Sequence, residues 1–512
     1  TSISTVGIRP KGNSSLRMTA KNNPDDRVSF KVEFDHYIDG QTFNNLDKLI
    51  LNNMVSDATS LKEYMSFDLM RFMGLDTPYF GYANIYVNGK YWGLYFALEA
   101  YDDSYAQRMF GNDHGQLYNV RMGFGGDRGN PQNKEQQRKQ TGFNSSGNFR
   151  PDQFNSSGKI SPPMQGGGMM GSSSKGGDLV YTDDNPDSYS EILDNAVFEQ
   201  DQGQKNRLIA ALKALNSGQD LEKYWDVDEI LRYLAAHTFL CNFDSYSSAM
   251  HQNYYLYEKG GRITILPWDY NLAYGGMGQN ASSTVNFPID TPISQVEMTE
   301  RPLISQLLAV PEYLEIYHQY FQKILEDYFQ SGYFAQKAAQ MDELISPYLQ
   351  IDPTAFYTYT EHQTAVDTFL KFNDLRVQSI QGQLAGTIPS TTEGQKSNPS
   401  ALIDCSNLKL SDMGTQGGDK DGGMIPPGLK NMNNSKSSLS SSGIAGKAGI
   451  TPPSPGNFSG NALNSGGRFK PRAGEPPREE NPSSSSSWPV GLSALAVTVI
   501  ALVLVYKFKR KK

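Results

Sequence analysis

Two aspartates that flank a predicted β-hairpin constrain the fold of this chain more than any other feature. Asp244 follows an apolar run, and Asp269 follows a short run rich in β-branched residues. Between them, residues 253–257 and 262–266 have the aromatic and β-branched composition of strands, and two glycines supply the turn between them. The residues before and after a hairpin lie at the same end of it, so both carboxylates can meet at one point.

A pair of carboxylates with an amide nearby, here at Asn253, offers the oxygen ligands that a hard divalent cation prefers. Such a cation can also neutralise the charge of a phosphate-bearing substrate. The residues alone leave a second interpretation open, in which Asp244 caps a helix and Asp269 caps a turn.

The first part of the chain predicts strands around two turns and one helix. Residues 28–34 alternate between apolar and polar, which predicts a half-buried strand with Lys31 on its polar face. By this alternation alone, Lys31 is an ordinary surface lysine. Residues 60–63 form a capping-box pattern that Glu63 would close, ahead of a helix that ends at Gly74.

Further along, Asn88-Gly89 between two aromatic runs predicts a tight hairpin, and a helix follows over 102–110. Apart from the central hairpin, the chain from residue 187 to residue 384 is predicted to be largely helical. The helical segments are residues 206–216, 303–308, 313–329, 334–349 and 366–384, together with a helix that begins after Asp226 and leads to His237.

Composition divides the chain. Residues 123–177 lack an apolar period and are dominated by Gly, Asn, Gln, Ser and Met, which predicts a disordered insertion in a folded body of residues 1–384. Residues 385–487 are rich in Ser, Gly, Pro and Asn, which predicts a flexible stalk.

An apolar run that is just long enough to span a bilayer follows the stalk. We expect a single transmembrane helix over 488–506 and, because residues 507–512 are basic, a cytoplasmic tail and an extracytoplasmic body. Thr1 is not a natural start and no signal peptide precedes the body, so the N-terminal region is predicted to be missing.

Net charge and cysteine content argue against some classes of protein. The net charge of −8 argues against a nucleic-acid partner, because neutralising phosphates requires a basic face. Cys241 and Cys405 are too few for a disulfide framework, and the chain has no zinc-ligand spacing.

The segments FLCNFDSY, NYYLY and LPWDYNLAYG resemble the core of the spore-coat protein H (CotH) kinase family, an atypical branch of the protein-kinase-like fold. Four upstream segments also match, in the family's order, so the resemblance covers most of residues 1–384: GIRPKGNSS, SFKVEF, LDKLILNNMVSDATSLKEYMSFDLMRFMG and VNGKYWGLYFALEAYDDSYAQRMFG. It implies an α+β, two-lobed, protein-kinase-like fold with a mixed antiparallel sheet lobe and a helical lobe.

The resemblance also implies roles for residues near the N-terminus. Lys31 would hold the phosphates of a nucleotide, and Gly12 and Asn13 would belong to the loop over them. Glu63 would then pair with that lysine instead of closing the capping box, and both roles remain open. Glu99 would lie at the hinge that meets the adenine ring.

For the central stretch, the resemblance makes Asp269 the metal-binding acid and Asp244 the catalytic aspartate that orients a substrate hydroxyl and accepts its proton. Asn253 would be the second metal ligand. One departure concerns spacing, since Asn253 follows Asp244 by nine residues and not by the five of ordinary protein kinases.

The predicted function is therefore that of a membrane-anchored atypical protein kinase that uses ATP with Mg²⁺ or Mn²⁺. Its substrates would be hydroxyl side chains of exported or cell-surface proteins, and the serines of its own stalk are candidate acceptors. Two other classes stay open: a non-catalytic surface protein or adhesin (a pseudokinase of the same fold), and a metal-dependent hydrolase that uses the same acids to activate water.

Overall fold

A computed structural model gives the mixed α+β structure of this chain. It describes residues 3–12, 14–19, 27–122, 174–277, 280–416 and 502–504. The predicted insertion, apart from residues 174–177, lies outside the described residues. So do residues 417–487 of the stalk, the basic tail and most of the predicted transmembrane helix.

The described strands form two sheets. The larger sheet contains β1 (Gly7–Lys11), β2 (Ser29–Glu33), β3 (Lys48–Asn52), β4 (Phe80–Val87), β5 (Lys90–Glu99) and β9 (Leu502–Leu504), in the order β1-β2-β3-β5-β4-β9. The smaller sheet contains β6 (Gln116–Val120), β7 (Tyr254–Lys259) and β8 (Arg262–Pro267) in that order. Neighbouring strands are antiparallel except for the β4–β9 pair.

Of the predicted transmembrane helix, the structure describes only Leu502–Leu504, which form a strand beside β4 and not a helical turn. A short apolar run is compatible with either a helix or a strand. Here the free edge of β4 provides hydrogen-bond partners for a strand. Within the described ranges, no helix is both long and apolar enough to cross a membrane.

The two faces of the larger sheet pack against different apolar clusters. One face carries a small cluster of buried side chains: Val32, Phe34, Leu49, Leu51, Ala83, Ile85, Tyr95 and Ala97. Because side chains alternate along a strand, Lys31 and its cross-strand partner Ile50 lie on the other face, where Ile50 joins the main core. Arg9 pairs with Lys31, so Lys11 also lies on this second face.

Helices make up most of the remaining body. Those in the described residues are α1 (Ser14–Thr19), α2 (Lys62–Phe72), α3 (Asp103–Phe110), α4 (Ser190–Leu193), α5 (Gln202–Ser217), α6 (Leu221–Tyr224), α7 (Val227–Leu240), α8 (Ala281–Val285), α9 (Pro302–Leu308), α10 (Pro311–Lys323), α11 (Tyr333–Gln350), α12 (Tyr359–Leu384) and α13 (Thr392–Ser397). A π-helical segment, Ile324–Gln330, continues α10 toward α11. Each helix predicted from apolar spacing is present.

The central hairpin is confirmed. β7 and β8 pair from Tyr254 opposite Pro267 to Lys259 opposite Arg262. Gly260 and Gly261 form the turn with φ angles of 63° and 90°, a left-handed conformation that glycine adopts at little cost.

The start of α2 differs from the predicted capping box. The helix begins at Lys62, and its N-cap residue, Leu61, makes no side-chain cap. Asp57 supplies the cap instead, because its Oδ2 accepts the Lys62 N–H at 3.0 Å. The capping-box prediction for Glu63 is therefore wrong, and the carboxylate of Glu63 is bound elsewhere.

The folded body extends beyond the predicted boundary at residue 384. Lys62 Nζ donates to the Gly414 carbonyl at 2.6 Å, and the Gln416 N–H donates to the Gly276 carbonyl at 2.7 Å. The segment also buries four side chains in the main core, namely Cys405, Leu408, Leu410 and Met413. These apolar residues are sparse among polar ones, so average composition placed the boundary too early.

A buried ion pair connects the larger sheet to the end of α11. Arg27 Nη1 lies 2.7 Å from Asp352 Oδ2, and the two side chains are 4% and 0% exposed. Asp352 Oδ2 also accepts the Leu94 N–H of β5 at 2.9 Å. The guanidinium of Arg27 stacks over the Tyr95 ring, with 4.8 Å between its central carbon and the ring centroid.

Candidate active site

Asn242 connects the two segments that carry the predicted acids. α7 ends at Cys241, whose φ of 50° turns the chain out of the helix. The Asn242 Oδ1 accepts the Asp244 N–H at 3.2 Å, and its Nδ2 donates to the Asp269 carbonyl at 3.2 Å. This buried amide therefore holds Asp244 and Asp269 at the same end of the β7–β8 hairpin.

The residues just before β7 hold Asp244 from the other side. Gln252 Nε2 donates to Asp244 Oδ1 at 2.8 Å, and Asn253 Nδ2 donates to the Asp244 carbonyl at 2.8 Å. Because the amide nitrogen of Asn253 is used in this bond, its oxygen is the atom that can serve as a ligand. Asp244 and Asn253 are both partly buried.

Asp269 lies directly after β8 in an unusual backbone conformation. Its φ and ψ are 59° and 65°, and the 3₁₀ turn Tyr270–Leu272 follows. A left-handed conformation costs a non-glycine residue on the order of 1 kcal/mol, although Asp and Asn tolerate it better than most. Such strain is concentrated at functional sites, where it serves to direct a side chain.

Glu63 faces the same region from α2. It is buried, and both of its carboxylate oxygens accept from Asn52 Nδ2, at 3.0 and 2.9 Å. The Oδ1 of Asn52 in turn accepts from Lys11 Nζ at 3.0 Å. That ammonium also lies 5.6 Å from the centre of the Trp268 ring, so it is close to the residue before Asp269.

Electrostatic effects indicate that three carboxylates lie near one another. Burial raises the pKa of Asp244 to about 6, and the charge of Asp269 adds to the increase while bonds from Gln252 and Asn253 oppose it. Burial also raises the pKa of Glu63, again with a contribution from Asp269, while Lys11 acts in the opposite direction. A cation in this region would relieve the repulsion.

The donor set suits a hard cation that shares its ligands with a substrate. Among the described residues, no group of three or more His, Cys, Asp and Glu side chains is placed to hold a metal by itself. Asp269 and Asn253 offer oxygen donors, and Mg²⁺ typically takes one or two carboxylates together with substrate phosphates and water. The residues therefore fit a shared nucleotide–metal site better than a closed structural one.

The charges that act most on Lys31 are not those of this group. Burial lowers the pKa of Lys31, and among charged side chains Lys48, Arg9, Glu33 and Asp102 affect it most. A role of Lys31 at the nucleotide phosphates stays a prediction.

The remaining predicted residues have mixed outcomes. Glu99 is buried, accepts the Tyr79 N–H at 2.8 Å and forms an ion pair with Arg108 of α3, so its carboxylate is used in packing. Gly12 has a φ of 110°, a left-handed conformation that favours glycine, and a Cβ there would collide with Ser15 Oγ. Asn13 lies outside the described residues.

His237 supports the site from the core. Its Nδ1 lies 2.8 Å from the Tyr270 hydroxyl and its Nε2 lies 2.9 Å from Ser247 Oγ. Burial lowers the pKa of His237 to about 3, so the ring is neutral and positions the residue after Asp269.

Sequence reasoning did not single out four residues that build the site: Lys11, Asn52, Asn242 and Gln252. Lys11 lies in GIRPKGNSS and Asn242 lies in FLCNFDSY, two segments that already indicated the family, and Gln252 directly precedes NYYLY. Asn52 ends β3, where only the pairing of three strands shows which side chains it meets.

The raised pKa of Asp244 predicts that Asp244→Asn stabilises the fold at neutral pH. Between its usual pKa of 3.8 and about 6, the folded chain holds a proton that the unfolded chain releases, so stability falls as pH rises through this window. At pH 7.5 we expect a gain on the order of 1–2 kcal/mol, which disappears near pH 4. Chemical denaturation at both pH values measures it.

Asparagine keeps the oxygen that accepts from Gln252, so the substitution changes mainly the charge. The matched control is Asp374→Asn, because Asp374 is exposed on α12, and its effect should stay below about 0.5 kcal/mol at either pH. Equal effects of the two substitutions would contradict the assignment of Asp244 to a buried acidic group.

Comparison with known proteins adds two findings. The family model described as CotH kinase protein matches residues 8–380 of this chain. The chain is also similar to Inner spore coat protein H of Bacillus subtilis (strain 168), with 23% identity over 315 residues. That alignment covers 61% of this chain and 72% of the Bacillus protein.

Proposed function

The chain belongs to the CotH kinase protein family, and from this premise we propose that it is an atypical protein kinase. It would transfer the γ-phosphoryl group of ATP to hydroxyl side chains of exported or cell-surface proteins. The observation that carries the proposal is the arrangement of Lys11, Glu63, Asp244 and Asp269 at one end of the β7–β8 hairpin.

Phosphoryl transfer suits these residues because it requires mainly positioning and neutralisation of charge. Protein kinases use a lysine, a helix glutamate, a catalytic aspartate and a metal-binding aspartate in that order along the chain. Here Lys11, Glu63, Asp244 and Asp269 follow the same order. The strand order β1-β2-β3-β5-β4, with α2 between β3 and β4 in sequence, supports a two-lobed protein-kinase-like fold.

Asp244 is proposed as the catalytic base. Gln252 holds its Oδ1, which assigns Oδ2 to the acceptor hydroxyl. With a pKa of about 6, the carboxylate is mostly ionised at neutral pH and can both orient the hydroxyl and accept its proton.

Asp269 and Asn253 are proposed to hold Mg²⁺ or Mn²⁺. The bonds from Asn242 to the Asp269 carbonyl and from Asn253 to the Asp244 carbonyl support a position of both proposed ligands at the same end of the hairpin. A bound cation would supply charge neutralisation at the phosphate oxygens.

The acceptor and the location of the protein are proposals of the same kind. Inner spore coat protein H is named for a spore coat, which supports an acceptor at a cell or spore surface. Anchoring of an extracytoplasmic body by residues 488–506, with residues 507–512 in the cytoplasm, rests on the sequence order of stalk, apolar run and basic residues.

A labelling assay distinguishes a kinase from the other two classes. The whole chain is incubated with γ-labelled ATP, Mn²⁺ and a surface-protein extract, and label on protein is measured beside free phosphate. Transfer to protein that is lost in Asp269→Asn supports the proposal. Free phosphate without protein label indicates a hydrolase, and neither product together with no ATP binding indicates an adhesin or pseudokinase, so either result overturns the proposal.

A further inference from the structure

We propose that Lys11 of β1 contacts the nucleotide phosphates in this chain, and that Asn52 of β3 positions it. The inference rests on the proposed function. Protein kinases carry this lysine on the third strand, where it pairs with a glutamate of the following helix. In this chain the residue of β3 that meets Glu63 is Asn52, which has no charge to offer a phosphate.

The Asn52 amide connects the lysine to the glutamate. Its nitrogen donates to Glu63 and its oxygen accepts from Lys11 Nζ at 3.0 Å, so both ends of the amide are fixed. Asn52 is buried. The lysine is therefore held at a defined position although it comes from a different strand.

The ammonium group of Lys11 is placed for a ligand. It lies 5.6 Å from the centre of the Trp268 ring, beside the residue that precedes Asp269. Its direct partner is a neutral amide, and no carboxylate of the described residues forms an ion pair with it. A lysine in this setting acts as a strong point charge for phosphate oxygens.

The other two lysines on this sheet face are used differently. Lys48 Nζ lies 3.5 Å from Glu33 and 3.6 Å from Asp102, so acids already surround it. Lys31 belongs to the same group of charges. Both lie toward the start of α3, whereas Lys11 lies toward Asp269.

Paired substitutions in the whole chain test the inference. Lys11→Met is expected to lower kcat/KM for ATP about 100-fold, as loss of one charged contact to the transition state does in other enzymes. Lys31→Met, the matched change on the same sheet face, is expected to change it less than about 3-fold. Lys11→Arg keeps the charge and should recover at least a tenth of the activity.

Moving the lysine from β1 to β3 tests the inference by a gain of activity. Lys11→Met/Asn52→Lys places the lysine on the third strand beside Glu63, and we expect it to be at least about 10-fold more active than Lys11→Met alone. This gain would not follow from a purely structural role of Lys11. Thermal unfolding of each variant shows whether it is folded.

Two results would overturn the inference. One is an active, folded Lys11→Met chain, and the other is a Lys31→Met chain with the larger loss. If the unsubstituted chain neither transfers phosphate nor binds ATP with Mn²⁺, the proposed function fails, and the inference fails with it. An active parent with an active Lys11→Met variant contradicts only the assignment of Lys11.

Discussion

Replacing Asp269 with asparagine is expected to lower phosphoryl transfer by about 10³-fold. The substitution removes the only charge among the two proposed cation ligands, and charge neutralisation at the phosphates is among the largest contributions to this chemistry. Asparagine tolerates the φ of 59° at this position better than alanine does, so the backbone should be retained. Label transfer from ATP at saturating Mn²⁺ measures the effect.

The same substitution should not destabilise the fold, which separates lost chemistry from lost structure. Asp269 raises the pKa of both Asp244 and Glu63, so removing its charge relieves repulsion in the folded state. We expect an unfolding midpoint at or above that of the parent, and no stabilisation by Mn²⁺ with ATP. Asp374→Asn on the exposed side of α12 is the control, with activity within about 2-fold of the parent. Full activity of Asp269→Asn would contradict the proposal that Asp269 is a cation ligand.

Replacing Arg27 with methionine is expected to cost about 3–5 kcal/mol of folding free energy, the typical cost of leaving one partner of a buried ion pair alone. Asp352 would remain fully buried beside the end of β5, and the stacking of the guanidinium on Tyr95 would be lost. Urea denaturation at neutral pH measures the loss.

An exposed ion pair provides the matched comparison. Lys323→Met breaks the bond to Asp327, which is 2.9 Å long but lies at the surface, so its cost should stay below about 1 kcal/mol. The double variant Arg27→Met/Asp352→Asn should recover part of the stability lost in Arg27→Met. Equal costs for Arg27→Met and Lys323→Met would contradict the buried connection between the larger sheet and α11.

Local patterns were sufficient for the elements that position the acids. The β7–β8 hairpin follows from its glycine turn and from the β-branched and aromatic residues on either side, all within a short stretch. The helices follow from apolar residues at helical spacing. These signals depend on near neighbours in sequence, and the structure confirms them.

Contacts between residues that are far apart in the sequence could not be predicted from local patterns. Alternation placed Lys31 on the correct face of β2, but only the register of β1, β2 and β3 shows that Lys11 is the lysine bonded to Asn52. Glu63 fitted a capping box by spacing. In the structure, Asn52 instead donates to the Glu63 carboxylate, and Asp57 accepts the Lys62 N–H at the start of α2. Local sequence patterns therefore located the two aspartates but not the lysine that bonds to Asn52.

The C-terminal end of the folded body shows a related limit of prediction from sequence. Residues 385–416 have the polar composition of a linker, while the few apolar residues among them reach the main core. The bond from Lys62 to Gly414 then connects this segment to the first turn of α2, next to Glu63. Average composition cannot detect contacts that depend on four or five side chains.

The most direct test of the account is a crystal structure of the whole chain with Mn²⁺ and a non-hydrolysable ATP analogue, with the metal located by its anomalous scattering. Mn²⁺ is expected within about 2.0–2.4 Å of an Asp269 carboxylate oxygen. A phosphate oxygen is expected at roughly 3 Å from Lys11 Nζ. A triphosphate bound beside Lys31 and away from Asp269, or a metal with no contact to Asp269 or Asn253, would contradict the proposed site.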